Sequence, residues 1–172
     1  MTEQERYEGT TPFHEIYTVF ETLVTEDMYL EWTKEETHAD MRNILMAAIP
    51  KFQFPRFKLY DYTLINESEE EEGINGQFNF ILTHEEIVIF GNLMVVEWFT
   101  RQLATADLTR QKYGSKDFEF TSQANHISRL SIVRTVFESE VKSAQRLYKR
   151  RVTDSNGYIK SNYKGLGGKN AN

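Results

Sequence analysis

Apolar residues recur at helical spacing in several stretches of the chain. The first stretch follows Thr11 and Pro12, a pair that predicts a helix start because threonine can cap a helix and proline tolerates its first position. Its apolar face consists of Phe13, Ile16, Tyr17, Phe20 and Leu23. Residues 1–10 are polar and show no such period, so they predict a flexible N-terminal arm.

Two capping boxes mark further helix starts, at Thr33-Lys34-Glu35-Glu36 and Thr83-His84-Glu85-Glu86. In a capping box, the hydroxyl and the carboxylate three residues later satisfy each other's backbone N–H groups. The first box predicts a helix that Pro50 ends. Its apolar stripe consists of Met41, Ile44, Leu45, Ala48 and Ile49.

The helix after Thr83 is apolar on most sides, which predicts a central helix that runs to about Ala106 and is buried on most sides. It falls short of a membrane span because Glu97 and Arg101 interrupt it. Its apolar residues are Ile87, Ile89, Phe90, Leu93, Met94, Val95, Val96, Trp98, Phe99 and Leu103.

A last long helix is predicted over about 123–151, after a connection at residues 108–120 and a cap at Thr121 or Ser122. The remaining positions of this helix are expected to be polar or basic. Its packed face is predicted to contain Ile127, Leu130, Phe137, Val141, Ala144 and Tyr148.

Aromatic and polar residues alternate on both sides of an acidic run, which predicts a two-stranded antiparallel hairpin at about 56–82. A hairpin alone is only marginally stable, so it must pack on helices or pair with another subunit. The run at its tip is in most proteins a solvated loop, and its functional alternative is a surface that repels or steers charged partners. The acidic residues of this tip are Glu67, Glu69, Glu70, Glu71 and Glu72.

Residues 153–172 are rich in glycine and lysine and lack a helical period, which predicts a flexible C-terminal tail. Large apolar side chains recur along this tail, although a tail that only contacts water would not need them. Such a segment can order on a partner by adding a strand or by filling pockets with its side chains. The punctuating residues are Tyr158, Ile159, Tyr163 and Leu166.

The composition narrows the possible chemistry. The chain has 172 residues, a net charge of −6 and no cysteine, so disulfides, thiolate metal sites and cysteine nucleophiles are excluded. Glu35 and His38 supply half of a carboxylate-bridged di-iron site, and Val88 stands where a zinc-protease motif after His84 needs a second histidine. We therefore predict no catalytic residue, no metal and no cofactor.

The layout of a capped helical pair, a hairpin, a central helix, a long basic-ended helix and a glycine-rich tail resembles the head–tail adaptor proteins of tailed bacteriophages. The resemblance covers residues 12–172 and includes LTHEEIVIFGNLMVVEWF at 82–99, KDFEFTSQANHISRL at 116–130 and the tail from Gly157. It implies a mainly α fold with one hairpin and no catalytic residues.

The same resemblance implies a structural protein of the virion neck, assembled in the host cytoplasm. Such adaptors form a ring, typically of twelve copies, beneath the portal protein. The ring extends the channel through which DNA passes without specific binding, and offers a platform for the next neck or tail protein. By position, the portal-docking segment would contain Tyr158, Ile159, Tyr163, Gly165, Leu166 and Gly167.

Three other functions fit the sequence less well. Another phage neck or tail-completion protein would use the same features. A small helical regulatory or nucleic-acid-binding protein would use the basic C-terminus, but the acidic body counts against it because a duplex binder needs a basic face. An enzyme with an unrecognised carboxylate site ranks last.

Overall fold

The chain is mainly helical, as predicted, with a small antiparallel sheet. The computed structural model describes residues 3–24, 29, 32–65, 75–113, 120–153 and 159–160. The helices are α1 (Glu3–Arg6), α2 (Phe13–Leu23), α3 (Lys34–Ala48), α4 (His84–Tyr113) and α5 (Phe120–Arg150), with a 3-10 turn at Ile49–Lys51. The strands are β1 (Thr11–Pro12), β2 (Tyr62–Leu64), β3 (Gly76–Phe78), β4 (Val152–Thr153) and β5 (Ile159–Lys160).

Helix α4 is the centre of the fold, because α2, α3 and α5 all contact it. This confirms the prediction of a central helix buried on most sides. The helix continues to Tyr113, so the predicted connection from residue 108 was wrong there: no glycine or proline lies between Ala106 and Gly114 to end the helix. Its buried apolar residues are Ile87, Ile89, Phe90, Leu93, Met94, Val95, Val96, Trp98 and Phe99. Among the described helices, none is long and apolar enough to cross a membrane.

Stacked and edge-on aromatic rings join the sheet to α2 and α4. The ring of Phe78 lies 5.3 Å from those of both Phe13 and Phe90, measured between centroids. The ring of Phe80 lies 5.0 Å from that of Phe57. Aromatic pairs at this spacing stabilise a core beyond the burial of their area. The sheet is therefore held to the helices by its aromatic side chains.

The predicted hairpin is present but shorter than expected, and it belongs to a three-stranded sheet of order β1-β3-β2. Thr63 pairs with Gln77 in the antiparallel register of β2 and β3. The first strand begins only at Tyr62, because Phe57 is buried in the core and the N–H of Asp61 donates to the carbonyl of Lys58 (3.0 Å) in a turn. The acidic tip, Glu67 and Glu69 to Glu72, lies outside the described residues.

Thr11 does not cap α2, contrary to the prediction. It lies in β1 opposite Phe78, and its hydroxyl donates to the carbonyl of Phe80 (3.0 Å) and accepts from the N–H of Leu82 (2.8 Å). Pro12 is the residue before the helix, and its side chain makes no cap. A third strand therefore pairs where the sequence indicated only a helix start.

The prediction of a loose arm over residues 1–10 was wrong for residues 3–10. Residues 3–6 form α1, and the side chain of Arg6 is buried in an ion pair with Glu86. The backbone N–H of Ile81 also donates to the carbonyl of Arg6 (2.8 Å). A buried, charged anchor holds this segment even though it contains no apolar period.

Both predicted capping boxes are confirmed. The N–H of Thr33 donates to the Glu36 carboxylate (2.9 Å), and the N–H of Glu36 donates to the Thr33 hydroxyl (3.2 Å). The same pair of bonds joins Thr83 and Glu86, at 2.7 and 3.4 Å. Pro50 lies in the 3-10 turn that ends α3, as predicted.

Helix α5 starts at Phe120, so Thr121 and Ser122 lie inside it and do not cap it. Its predicted packed face is confirmed from Leu130 to Tyr148, where Val141 and Tyr148 are buried and Leu130, Phe137 and Ala144 pack against the core. Ile127 is half-buried and lies outside that core. The tail was predicted to lack regular structure from residue 153, but β4 and β5 pair there, with Thr153 opposite Ile159. The other predicted docking residues, Tyr158, Tyr163, Gly165, Leu166 and Gly167, lie outside the part of the chain that the structure describes.

Candidate functional site

A buried charged cluster joins α1 to both long helices. Two guanidinium nitrogens of Arg6 donate to the two carboxylate oxygens of Glu86, at 2.9 and 3.0 Å. The hydroxyl of Tyr148 donates to the same carboxylate at 2.5 Å. Burial, followed by this hydrogen bond, raises the pKa of Tyr148 well above its ordinary value. Every member of the cluster is engaged with the others, so its role is to hold the three helices together.

The loop before β2 fastens the C-terminal end of α5. Arg56 donates to the backbone carbonyls of Tyr148 and Arg151, and its guanidinium lies 4.5 Å from the centroid of the Tyr148 ring. Lys149 lies over the ring of Phe54 at 4.1 Å. Carbonyls at a helix end lack partners within the helix, and Arg56 supplies one. The point where the C-terminal segment leaves the body is therefore fixed.

The side of α5 that faces away from the body carries several exposed aliphatic side chains. Ile132 is 62% exposed, Val136 50% and Leu147 52%, and Val133 is also exposed. The prediction that this side of α5 is polar or basic was wrong at Ile132, Val133, Val136 and Leu147. We call this surface the outer face. Its residues are Arg129, Ile132, Val133, Val136, Ser139, Glu140, Ser143 and Leu147.

The outer face has the spacing of a helix-packing seam. Starting at Arg129, its central residues follow one another at alternating intervals of four and three positions, the repeat that keeps one stripe directed at a partner helix. Small side chains at Ser139 and Ser143 leave room for close approach. Burying one Val, Leu or Ile side chain contributes about 1.5–3 kcal/mol, so leaving several in water is unfavourable. The face is suited to contact with another helix.

Arg129 and Glu140 are the charged residues of this seam. Each is exposed, and neither has an ion-pair partner among the residues that the structure describes. Arg129 lies four residues before Val133, and Glu140 lies four residues after Val136. The two charges therefore flank the two valines symmetrically and are opposite in sign.

Sequence reasoning missed the outer face because the apolar residues of the packed face of α5, which we call the inner face, already accounted for a helix here. The signal was present, since Val133, Val136 and Leu147 fall between the inner-face positions. Within the described ranges, no group of three or more histidine, aspartate or glutamate side chains could hold a metal ion. Comparison of the chain with protein-family models, curated proteins and solved structures finds no match.

Proposed function

We propose that the protein is a structural subunit that assembles with further copies of itself through the outer face of α5. The observation that carries the proposal is the set of exposed aliphatic side chains at Ile132, Val136 and Leu147. An apolar stripe along a long helix is a typical association surface when, as here, the described part of its own chain does not cover it.

The charges of the outer face favour a second copy of this chain as the partner. If two α5 helices cross antiparallel with Val133 of one opposite Val136 of the other, Arg129 of each lies opposite Glu140 of the other. Opposite charges across a contact set register and orientation more than they add affinity. The face is thus complementary to itself.

As the specific form of this role, we propose a head–tail adaptor of a tailed bacteriophage, located in the virion neck. The support is the resemblance of layout described above, together with the fixed exit of the C-terminal segment beside Arg56. Residues 153–172 would bind the portal protein, and the edge of the β4–β5 pair is suited to strand addition. The self-complementary contact of the outer face joins copies in pairs, so a closed ring would also need a second, different contact between neighbouring copies.

Light scattering after size-exclusion chromatography tests the assembly. The wild-type protein should elute above its monomer mass of 20.3 kDa, with a mass that rises with loading concentration. Val136→Asp should shift it to the monomer, because burying an unpaired charge in the contact is costly. Leu108→Asp is the control: it places the same charge at a leucine of α4 that is 65% exposed, and it should leave the mass unchanged. A wild-type protein that stays monomeric at every concentration would refute the proposal.

Truncation tests the adaptor form. Removing residues 153–172 should abolish capture by the portal protein of the same phage while the body keeps its melting temperature. The truncated body should not bind duplex DNA, because a channel that passes DNA must not hold its phosphates tightly. Tight, salt-resistant DNA binding by the truncated body would contradict the adaptor and support a regulatory protein in its place.

A further inference from the structure

A cavity of about 300 Å³ opens between the 3-10 turn, α4 and α5, on a different side of α5 from the outer face. Its apolar wall is made by Leu93 and Val96 of α4 and Val141 of α5. A volume near 300 Å³ is at the lower end of the range for small-molecule sites, which are mostly apolar with a few placed polar groups. The cavity can therefore hold a short aliphatic chain.

Gln145 places a polar group at this apolar wall. Its side chain is 1% exposed and lies on the packed face of α5, where the pattern otherwise places apolar residues. Its amide oxygen accepts the backbone N–H of Gln53, which fixes the orientation of the group. The amide nitrogen has no acceptor among the described residues. This nitrogen is not among the buried unpaired polar atoms of the described residues, so it is open to the cavity, where a bound acceptor can replace water.

Three cations stand at the rim of the cavity: Lys51, Arg134 and Lys142. Two carboxylates face them. Glu97 pairs with Lys51, and Glu138 contacts Lys142 at 2.6 Å and Arg134 at 3.5 Å.

The hydrogen bond from Lys142 lowers the pKa of Glu138, so this carboxylate is ionised at neutral pH. Three cations against two anions leave a positive surplus in a chain whose net charge is −6. The rim therefore attracts anions although the protein as a whole repels them.

We propose that this cavity binds a carboxylate carried on a short aliphatic chain. The chain would lie on Leu93, Val96 and Val141, and the carboxylate would accept from the Gln145 amide and from a rim cation. A phosphate ion fits less well, because it would leave the apolar wall in contact with water. The proposal goes beyond the assembly role and does not depend on it.

Nuclear magnetic resonance titration with hexanoate tests the site. The side-chain amide of Gln145 and the backbone N–H of Gln53 should shift and saturate at millimolar hexanoate. Hexanamide, which has the same chain without the charge, should produce little change. N-acetyl-leucine against N-acetyl-leucinamide forms a second arm, because binding of that acid alone would identify a protein C-terminus as the source of the carboxylate. Equal binding of acid and amide in both arms, or no saturable shift with either acid, would overturn the proposal.

Substitution separates the rim from general charge effects. Lys142→Gln should weaken the binding of hexanoate roughly tenfold, as expected for loss of one charge-assisted hydrogen bond. Arg146→Gln removes the same charge from an exposed position of α5 that does not line the cavity, and should leave the affinity unchanged. Both side chains are exposed, so neither variant should unfold. An equal loss in the two variants would show that the effect is only net charge and would refute the site.

Discussion

The two long helices have nearly the same length, 30 residues in α4 and 31 in α5, but they meet very different surroundings. Helices α2, α3 and α5 contact α4 from several sides. Helix α5 packs one side against the body and leaves Ile132, Val136 and Leu147 exposed. The difference shows that the described part of this chain covers α4 on several sides and leaves the outer face of α5 uncovered.

Substitution of one residue on each helix gives the largest contrast. Phe90→Ala should lower the free energy of unfolding by about 3–5 kcal/mol, because Phe90 is fully buried and the truncation leaves a cavity. Leu147→Ala on the outer face should change the stability of the monomer by less than about 0.5 kcal/mol. Denaturant unfolding at low protein concentration measures both. Similar losses in the two variants would erase the distinction between the helices.

Substitution in the buried cluster of Arg6, Glu86 and Tyr148, which joins α4 to α5, should lower the free energy of unfolding almost as strongly. Glu86→Gln leaves the buried guanidinium of Arg6 without its counter-charge and should cost about 3–5 kcal/mol of stability. Glu85→Gln removes the neighbouring carboxylate from its exposed pair with Arg151 and should cost about 0–1 kcal/mol. Equal midpoints of denaturant unfolding for the two variants would show that burial of the pair has no energetic consequence.

The two long helices also differ in how closely a neighbouring helix packs against them. Gly91 lets α2 come very close to α4. A Cβ atom at Gly91 would lie 2.5 Å from Cγ1 of Val19 on α2, which is too close for any contact. Gly91→Ala should therefore destabilise by about 1–3 kcal/mol, although alanine favours a helix by about 1 kcal/mol over glycine. Adding Val19→Ala should restore part of the loss in a double-mutant cycle. Independent effects of the two substitutions would contradict this packing.

Tyr148, on the inner face of α5, should also make the free energy of unfolding depend on pH. Because the pKa of Tyr148 is raised in the folded state, that state holds the phenolic proton more tightly than the unfolded chain does. The resulting stability is complete below the unfolded pKa of about 10 and is lost progressively as the pH rises from there towards the raised pKa of the folded state. Unfolding between about pH 8 and pH 11 should show a steeper alkaline loss for wild type than for Tyr148→Phe. Parallel curves would mean that the hydroxyl is not buried.

Local chemistry and helical periodicity predicted much of this fold. The capping boxes at Thr33 and Thr83 place two helix starts, and the all-round apolar pattern after Thr83 identifies the central helix. The buried position of Arg6 could not be predicted, because its partner Glu86 is 80 residues away and already has a local role in a capping box. Thr11 was misread for a similar reason, since a threonine before a proline looks the same as a helix cap and as a strand residue.

The candidate site was less predictable than the fold. The spacing of Val133 and Val136 is visible in the sequence, but periodicity does not show which of two apolar faces the body covers. Gln145 looks like a polar surface residue until Gln53 and the wall of the cavity are placed around it. Such features depend on contacts between distant parts of the chain.

Protection of a single thiol most directly tests whether the outer face of α5 joins copies of this protein. The chain has no cysteine, so Val136→Cys and Leu108→Cys each carry one thiol at a known, exposed helical position. We predict that the Val136→Cys thiol reacts more slowly with a thiol reagent as protein concentration rises, while the Leu108→Cys thiol keeps a constant rate. Equal and concentration-independent rates at the two positions would contradict self-assembly through this face.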